Sequence, residues 1–191
     1  KGVRHKSSID RAMQMVHIIS RLLKRNWTFV GDGGFSCLKL GHACLKSGVS
    51  LVSRLRLDAS LFESIRVNTK KRRGRKPVKG PKVPNLKQQI KDGSLHWKEA
   101  RIVWYGSVLK SVRLATGVNL WYKPGEKPLQ IRWVLVQDPA SNRVEAFFSS
   151  NINMDAINIV ETFVLRWNIE VTFEEVRAHL GVETQRQWSE K

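Results

Sequence analysis

The chain has 191 residues, with 34 Lys plus Arg against 16 Asp plus Glu, and a formal charge of +18. That length suits one domain, or one domain carrying a large insertion; 41% hydrophobic residues, with seven Trp and seven Phe, argue against disorder throughout. No apolar run approaches the roughly 18 residues of a membrane span, and Cys37 and Cys44 alone exclude a disulfide framework or a four-cysteine zinc site, so a reducing intracellular compartment fits.

Ser8 to Arg25 reads as a helix capped by Ser8, with Ala12, Met15, Val16, Ile19, Leu22 and Leu23 at helical spacing and Asn26 ending it. Trp27 to Gly31 is a short β-prone run opening into the turn Asp32-Gly33-Gly34. Phe35 to Lys46 returns to helical spacing, with Cys37 and Cys44 as small buried residues, and Gly48 stops it. Val49 to Leu55 is a second strand. Strand, helix and strand in that order predict a parallel crossover unit of an α/β sheet.

Eight of the 13 residues from Lys70 to Lys82 are basic and none is acidic. Pro77, Pro81 and Pro84 prevent a helix or central strand there, so Lys70, Lys71, Arg72, Arg73, Arg75 and Lys76 form an extended arm. It is either a nucleic-acid contact or a solvated linker. Then Glu99–Tyr105, Val108–Ala115, Gln130–Gln137 and Arg143–Ser149 are β-branched, aromatic and often alternating, which predicts an antiparallel region with Ile131–Val136 and Val144–Phe148 as a hairpin. Trp97, Trp104, Trp121 and Trp133 belong to its core or include a base-stacking residue. One long helix is expected from Asp155 to His179.

Charge is unevenly placed. Residues 1–150 carry 30 basic and 9 acidic side chains, a net of +21, whereas residues 151–191 carry 4 and 7, a net of −3. A strongly basic body suggests a polyanionic partner, because neutralising phosphates releases counterions. No Lys/Arg-rich helix with a large apolar face accompanies it, so an anionic membrane is the weaker alternative. The five histidines show no metal-ligand spacing.

On the last helix Val160, Phe163, Val164, Trp167 and Val171 fall within about 60° at 100° per residue, forming an apolar stripe. Arg166, Glu170, Glu174 and Arg177 share a sector of about 80° beside it. This pattern fits a carboxylate held near the sheet between guanidinium groups, and equally fits plain ion pairing of Arg166–Glu170 and Glu174–Arg177. Asp32 lies at the carboxyl end of a strand, where open α/β sheets place ligands, yet Asp-Gly-Gly is also ordinary turn chemistry. If Asp32 and Glu170 converge, two carboxylates suit Mg²⁺, a hard ion that prefers oxygen.

Phe163-x2-Arg166-x3-Glu170-x6-Arg177 resembles the Tyr-x2-Arg-x3-Glu-x6-Lys signature of bacterial insertion-sequence DDE transposases, with Phe in place of Tyr and Arg in place of Lys. Gly31-Asp32-Gly33-Gly34-Phe35 is similar to that family's segment bearing the second acid. Arg56-Leu57-Asp58-Ala59-Ser60-Leu61-Phe62 and His179-Leu180-Gly181-Val182-Glu183-Thr184-Gln185-Arg186-Gln187-Trp188 resemble its following stretches. The resemblance implies an α/β fold: a partial RNase H-like core, made of the parallel crossover unit and the long C-terminal helix, with an inserted antiparallel β region. The segments would be 1–60 for the partial core, 61–98 for the basic arm and linker, 99–150 for the β insertion, and 151–191 for the helix with the third acid.

It also implies Mg²⁺-dependent DNA cleavage and strand transfer at transposon ends, with Mn²⁺ as a substitute. Asp32 and Glu170 would be catalytic metal ligands, Arg166 and Arg177 would contact phosphates, and the arm would track the DNA backbone. Partners would be transposon-end and target DNA and a second copy of the full-length chain, with a cytoplasmic, nucleoid-associated location. Asp58 is either an auxiliary carboxylate or a turn residue. The family's first catalytic Asp has no counterpart, since Asp10 is the sole acid before Asp32 and falls in a helix's opening turn. The resemblance thus implies a fragment truncated at both ends, lacking the first three core strands and inactive alone. The alternative is a non-catalytic basic DNA- or RNA-binding protein whose acids serve folding only.

Overall fold

The computed structural model describes residues 5–65 and 77–180. Helix α1, Ser8–Leu23, begins one residue later than its cap: Ser7, not Ser8, closes a reciprocal capping box with Asp10, and Lys24 in left-handed conformation (φ 46°) ends the helix. Strand β1, Thr28–Gly31, leads through a 3-10 turn at Gly33–Phe35 into α2, Leu38–Lys46, and then β2, Ser50–Arg54. β1 and β2 pair in parallel with Thr28 opposite Ser50 and Gly31 opposite Ser53, so the crossover unit forms as the sequence predicts.

Strand β3, Leu61–Phe62, and the short helix α3, Leu86–Lys91, precede β4, Lys98–Val103, the 13-residue β5, Leu109–Trp121, β6, Leu129–Gln137, and β7, Val144–Ser149. β6 and β7 make the expected hairpin. β7 also pairs antiparallel with β2, Val52 opposite Ser149, so the β-rich stretch extends the same sheet. The order is β1-β2-β7-β6-β5-β3, with β4 also paired to β5: a mixed α/β fold whose sheet is antiparallel except for its first pair.

Alternation along the strands divides the core into two layers. Leu51, Ile131, Trp133, Leu135 and Phe148 turn to the side of α1 and α2, where Ala12, Val16, Leu38, Leu40 and Cys44 are buried. Val52, Val112, Leu114, Val134, Val136 and Phe147 turn to the other side and meet helix α4, Ala156–Leu165. Asp155 caps α4 through Ile157 N–H at 2.9 Å, and Ile159, Val160, Phe163 and Val164 bury the face that packs on the sheet. Each such side chain contributes about 1.5–3 kcal/mol. Trp121 and Trp133 are core, at 4% and 5% exposure.

The expected single C-terminal helix is two. α4 ends at Leu165 and α5 runs Trp167–Leu180. The apolar stripe persists in sequence, but its second half is not buried: Trp167 and Val171 are 42% and 41% exposed, and α5 contains no buried residue.

Residues 66–76, and with them Lys70, Lys71, Arg72, Arg73, Arg75 and Lys76, lie outside the described residues. The flanks of that run lie side by side. Glu63 N–H donates to Pro81 at 2.9 Å, Gly80 N–H to Glu63 at 3.0 Å, and Lys79 Nζ stands 3.8 Å and 4.1 Å from the ring centres of Phe62 and Tyr122. Among the described residues no helix is long and apolar enough to cross a membrane.

Candidate active site

Asp32 follows directly on β1 and caps the 3-10 turn: its Oδ1 accepts the Gly34 N–H at 2.9 Å. Its backbone carbonyl accepts a second bond, from the fully buried Ser53 hydroxyl on the adjacent strand, at 2.7 Å. The backbone is therefore fixed at the carboxyl ends of the parallel pair, while Oδ2 has no protein partner among the described residues. The turn reading and the ligand reading are compatible, because capping uses one oxygen and leaves the other.

Arg54 comes next after Ser53. Its guanidinium carbon lies over the Phe163 ring at 5.5 Å from the centroid, and its Nη2 pairs with Glu145 on β7 at 3.2 Å. Phe163 is 1% exposed and packs on Phe147 with centroids 4.7 Å apart. Arg166, at the junction of α4 and α5, sets its guanidinium carbon 5.5 Å from the same ring. It reaches forward through Nη1 to the carboxylate of Glu170, while its Nε is buried without a hydrogen-bond partner among the described residues.

A continuous series of contacts thus leads from the Asp32 carbonyl through Ser53, Arg54, Phe163 and Arg166 to Glu170. Asp32 and Glu170 share no direct hydrogen bond. Since α5 is not anchored by burial, its start depends on Arg166 and on Trp167, which meets Tyr105 edge to face at 5.4 Å. The Arg166–Glu170 pair expected from helical spacing forms; Arg177 lies exposed in the last turn of α5. Asp58 takes both Nε and Nη2 of Arg56, at 2.8 and 2.7 Å, and the Arg56 guanidinium holds its carboxyl below the usual range. That geometry makes Asp58 an ion-pair partner in a turn.

The sequence reading missed Arg54 and Glu145. The available signal was alternation: Val52 faces α4, so Arg54, two residues on, must do so as well. Glu145 joins two cations, Arg54 and Arg143, at 3.2 and 3.3 Å, a pairing across strands that needs the β2–β7 register to be seen.

Asp32 Oδ2 and one oxygen of Glu170 have no protein partner among the described residues, and carboxylate oxygen is the donor that hard divalent ions take. Among the described residues no group of three or more His, Cys, Asp or Glu side chains gathers. As donor types, these free carboxylate oxygens are those such an ion takes, with water and phosphate oxygens able to complete its shell.

The family described as "Transposase DDE domain" matches residues 4–187, nearly the whole chain. The chain belongs to this transposase family. A DDE transposase domain works on DNA, in keeping with the basic body, and such domains generally use a divalent metal. No curated protein matches the chain.

Proposed function

We propose that this DDE transposase domain belongs to an enzyme that cleaves DNA at transposon ends and transfers the strand, with Mg²⁺ held by Asp32 and Glu170. The observation that carries the reading is the contact series joining the Asp32 turn to the Arg166–Glu170 pair through Ser53, Arg54 and Phe163. Mg²⁺ bound there, with Mn²⁺ as a substitute, would polarise the phosphodiester and ease deprotonation of the attacking water. Arg166 does two jobs: one nitrogen steadies Glu170, and the remaining donors of its fork suit a phosphate oxygen. Arg177, further along α5, and the basic run Lys70, Lys71, Arg72, Arg73, Arg75 and Lys76 would extend the contact along the DNA backbone.

The third acid of the set has no candidate among the described residues. Asp10 is engaged with Ser7 and, at 2.8 Å, with Lys39 on α2. The edge of β1 away from β2 has no strand partner among the described residues, and it is where a strand bearing that acid would pair. We infer that the 191-residue chain binds DNA without cutting it, and that the active assembly pairs two full-length copies on two transposon ends.

The test is a Mn²⁺ titration of the chain–DNA complex followed by electron paramagnetic resonance. Asp32→Asn and Glu170→Gln should each weaken Mn²⁺ binding at least about tenfold while leaving DNA affinity intact, since ligand loss costs at least as much as loss of a supporting group. Unchanged Mn²⁺ binding in both would leave a non-catalytic DNA-binding protein. Glu170-dependent nicking by the chain alone would overturn the missing-acid inference.

A further inference from the structure

The carboxyl ends of β1 and β2 also border a cleft of about 470 Å³, whose walls include Gly33, the residue after Asp32, with the cations Arg54, Arg56 and Lys123 and one carboxylate, Asp58, which is paired to Arg56. Its floor is apolar, formed in part by Leu55 and Trp121, at 5% and 4% exposure. Lys123 lies outside every stretch of the transposase resemblance, Arg56 falls in one of them without a role there, and neither belongs to the contact series. Asp58 fixes the plane of the Arg56 guanidinium by taking two of its N–H groups, which leaves three donors for a ligand. Lys123 is exposed, its Nζ 5.7 Å from the Trp121 ring centre, and it has no acidic partner among the described residues.

Size and charge together restrict the occupant. A volume of a few hundred Å³ is that of a small-ligand site, enough for one or two nucleotides and far too small for a duplex. Cations above an apolar floor match a phosphate above a sugar. We propose that this cleft seats the backbone of one DNA strand immediately beside the phosphodiester at Asp32, with Arg56 and Lys123 as its phosphate contacts. The assignment rests on the transposase reading and adds to it the path of a single strand, on the side of Asp32 that leads to Lys123 past the end of β5.

The experiment measures binding of a labelled single-stranded oligothymidylate to the full 191-residue chain across a salt series. Each phosphate contact on a single strand contributes about 0.7 to the slope of log K against log salt. The double variant Arg56→Gln/Lys123→Gln should therefore lose about 1.4 from that slope, and Arg56→Lys/Lys123→Arg should restore it. Lys46→Gln/Lys98→Gln removes the same charge from exposed sites at the opposite end of β2 and on β4, and should leave the slope unchanged. An equal loss in both Gln pairs, or none in the cleft pair, overturns the cleft assignment while DNA binding stands. Absence of DNA binding by the unsubstituted chain overturns the transposase reading and the cleft with it.

Discussion

Arg54 and Arg166, 112 positions apart in sequence, each place a guanidinium carbon 5.5 Å from the centre of the Phe163 ring. One arrives from the end of β2 and the other from the end of α4, so a single buried aromatic ties the parallel pair to the start of α5. Phe163→Ala should cost about 3–5 kcal/mol, because it removes a fully packed ring and leaves a cavity. Denaturant unfolding checks this, and a loss below 1 kcal/mol would deny the ring its role.

Glu170→Gln should leave stability almost untouched. The pair with Arg166 lies at the surface, the Glu170 side chain being 43% exposed, and such pairs are worth about 0–1 kcal/mol. Thermal unfolding within a degree or two of the parent would separate a ligand from a structural acid. A large drop would place Glu170 in the folding machinery.

Asp10 predicts an acid-side transition. Lys39 and then Ser7 hold its carboxyl well below the ordinary value of 3.8, so the folded state favours the charged form. The stability it adds is present in full above that ordinary value and is lost as pH falls through the lower folded one. Melting curves of the parent and Asp10→Asn should therefore differ at neutral pH and converge in strong acid. A gap that persists there would mean that the bonds do not depend on charge.

Cys44 should be inert. Burial, reinforced by nearby Cys37, pushes its thiol up to about 12, and the thiolate is the reactive form. A thiol reagent at mildly alkaline pH should label Cys37, which is partly exposed, and reach Cys44 only on unfolding. Mass spectrometry of the labelled peptides decides it.

Gly80 and Gly33 should respond differently to Ala. At Gly80 a methyl group would stand 2.7 Å from the Glu63 carbonyl oxygen, a backbone atom that cannot turn aside, whereas nothing lies within 4 Å at Gly33. Overpacking typically costs about 1–3 kcal/mol, so Gly80→Ala should lower the melting temperature. Gly33→Ala should be neutral or slightly stabilising.

The elements near Asp32 were readable because each carries a local signal: helical spacing in α1, a β-prone run before Asp-Gly-Gly, and alternation in β2. Hairpin β6–β7 was readable for the same reason. The attachment of β7 to β2 was not, since pairing between residues almost a hundred positions apart leaves no trace in either strand. The break at Arg166 was hidden by an apolar stripe that continues past it. Periodicity reports which face would be buried, and says nothing of whether a surface waits beneath. The two acids and Phe163 were visible as residue types in suggestive places, and the approach of Arg54 to the Phe163 ring became visible only through the fold.

α5 is cantilevered. With no side chain sunk into the body, it is held at Arg166 and Trp167, and a small rotation at that support would displace Leu180 most. Amide protons along it should exchange with solvent long before those of α4. Ile169, Val171 and Phe173 are all at least 41% exposed, so no burial along the helix opposes such a rotation.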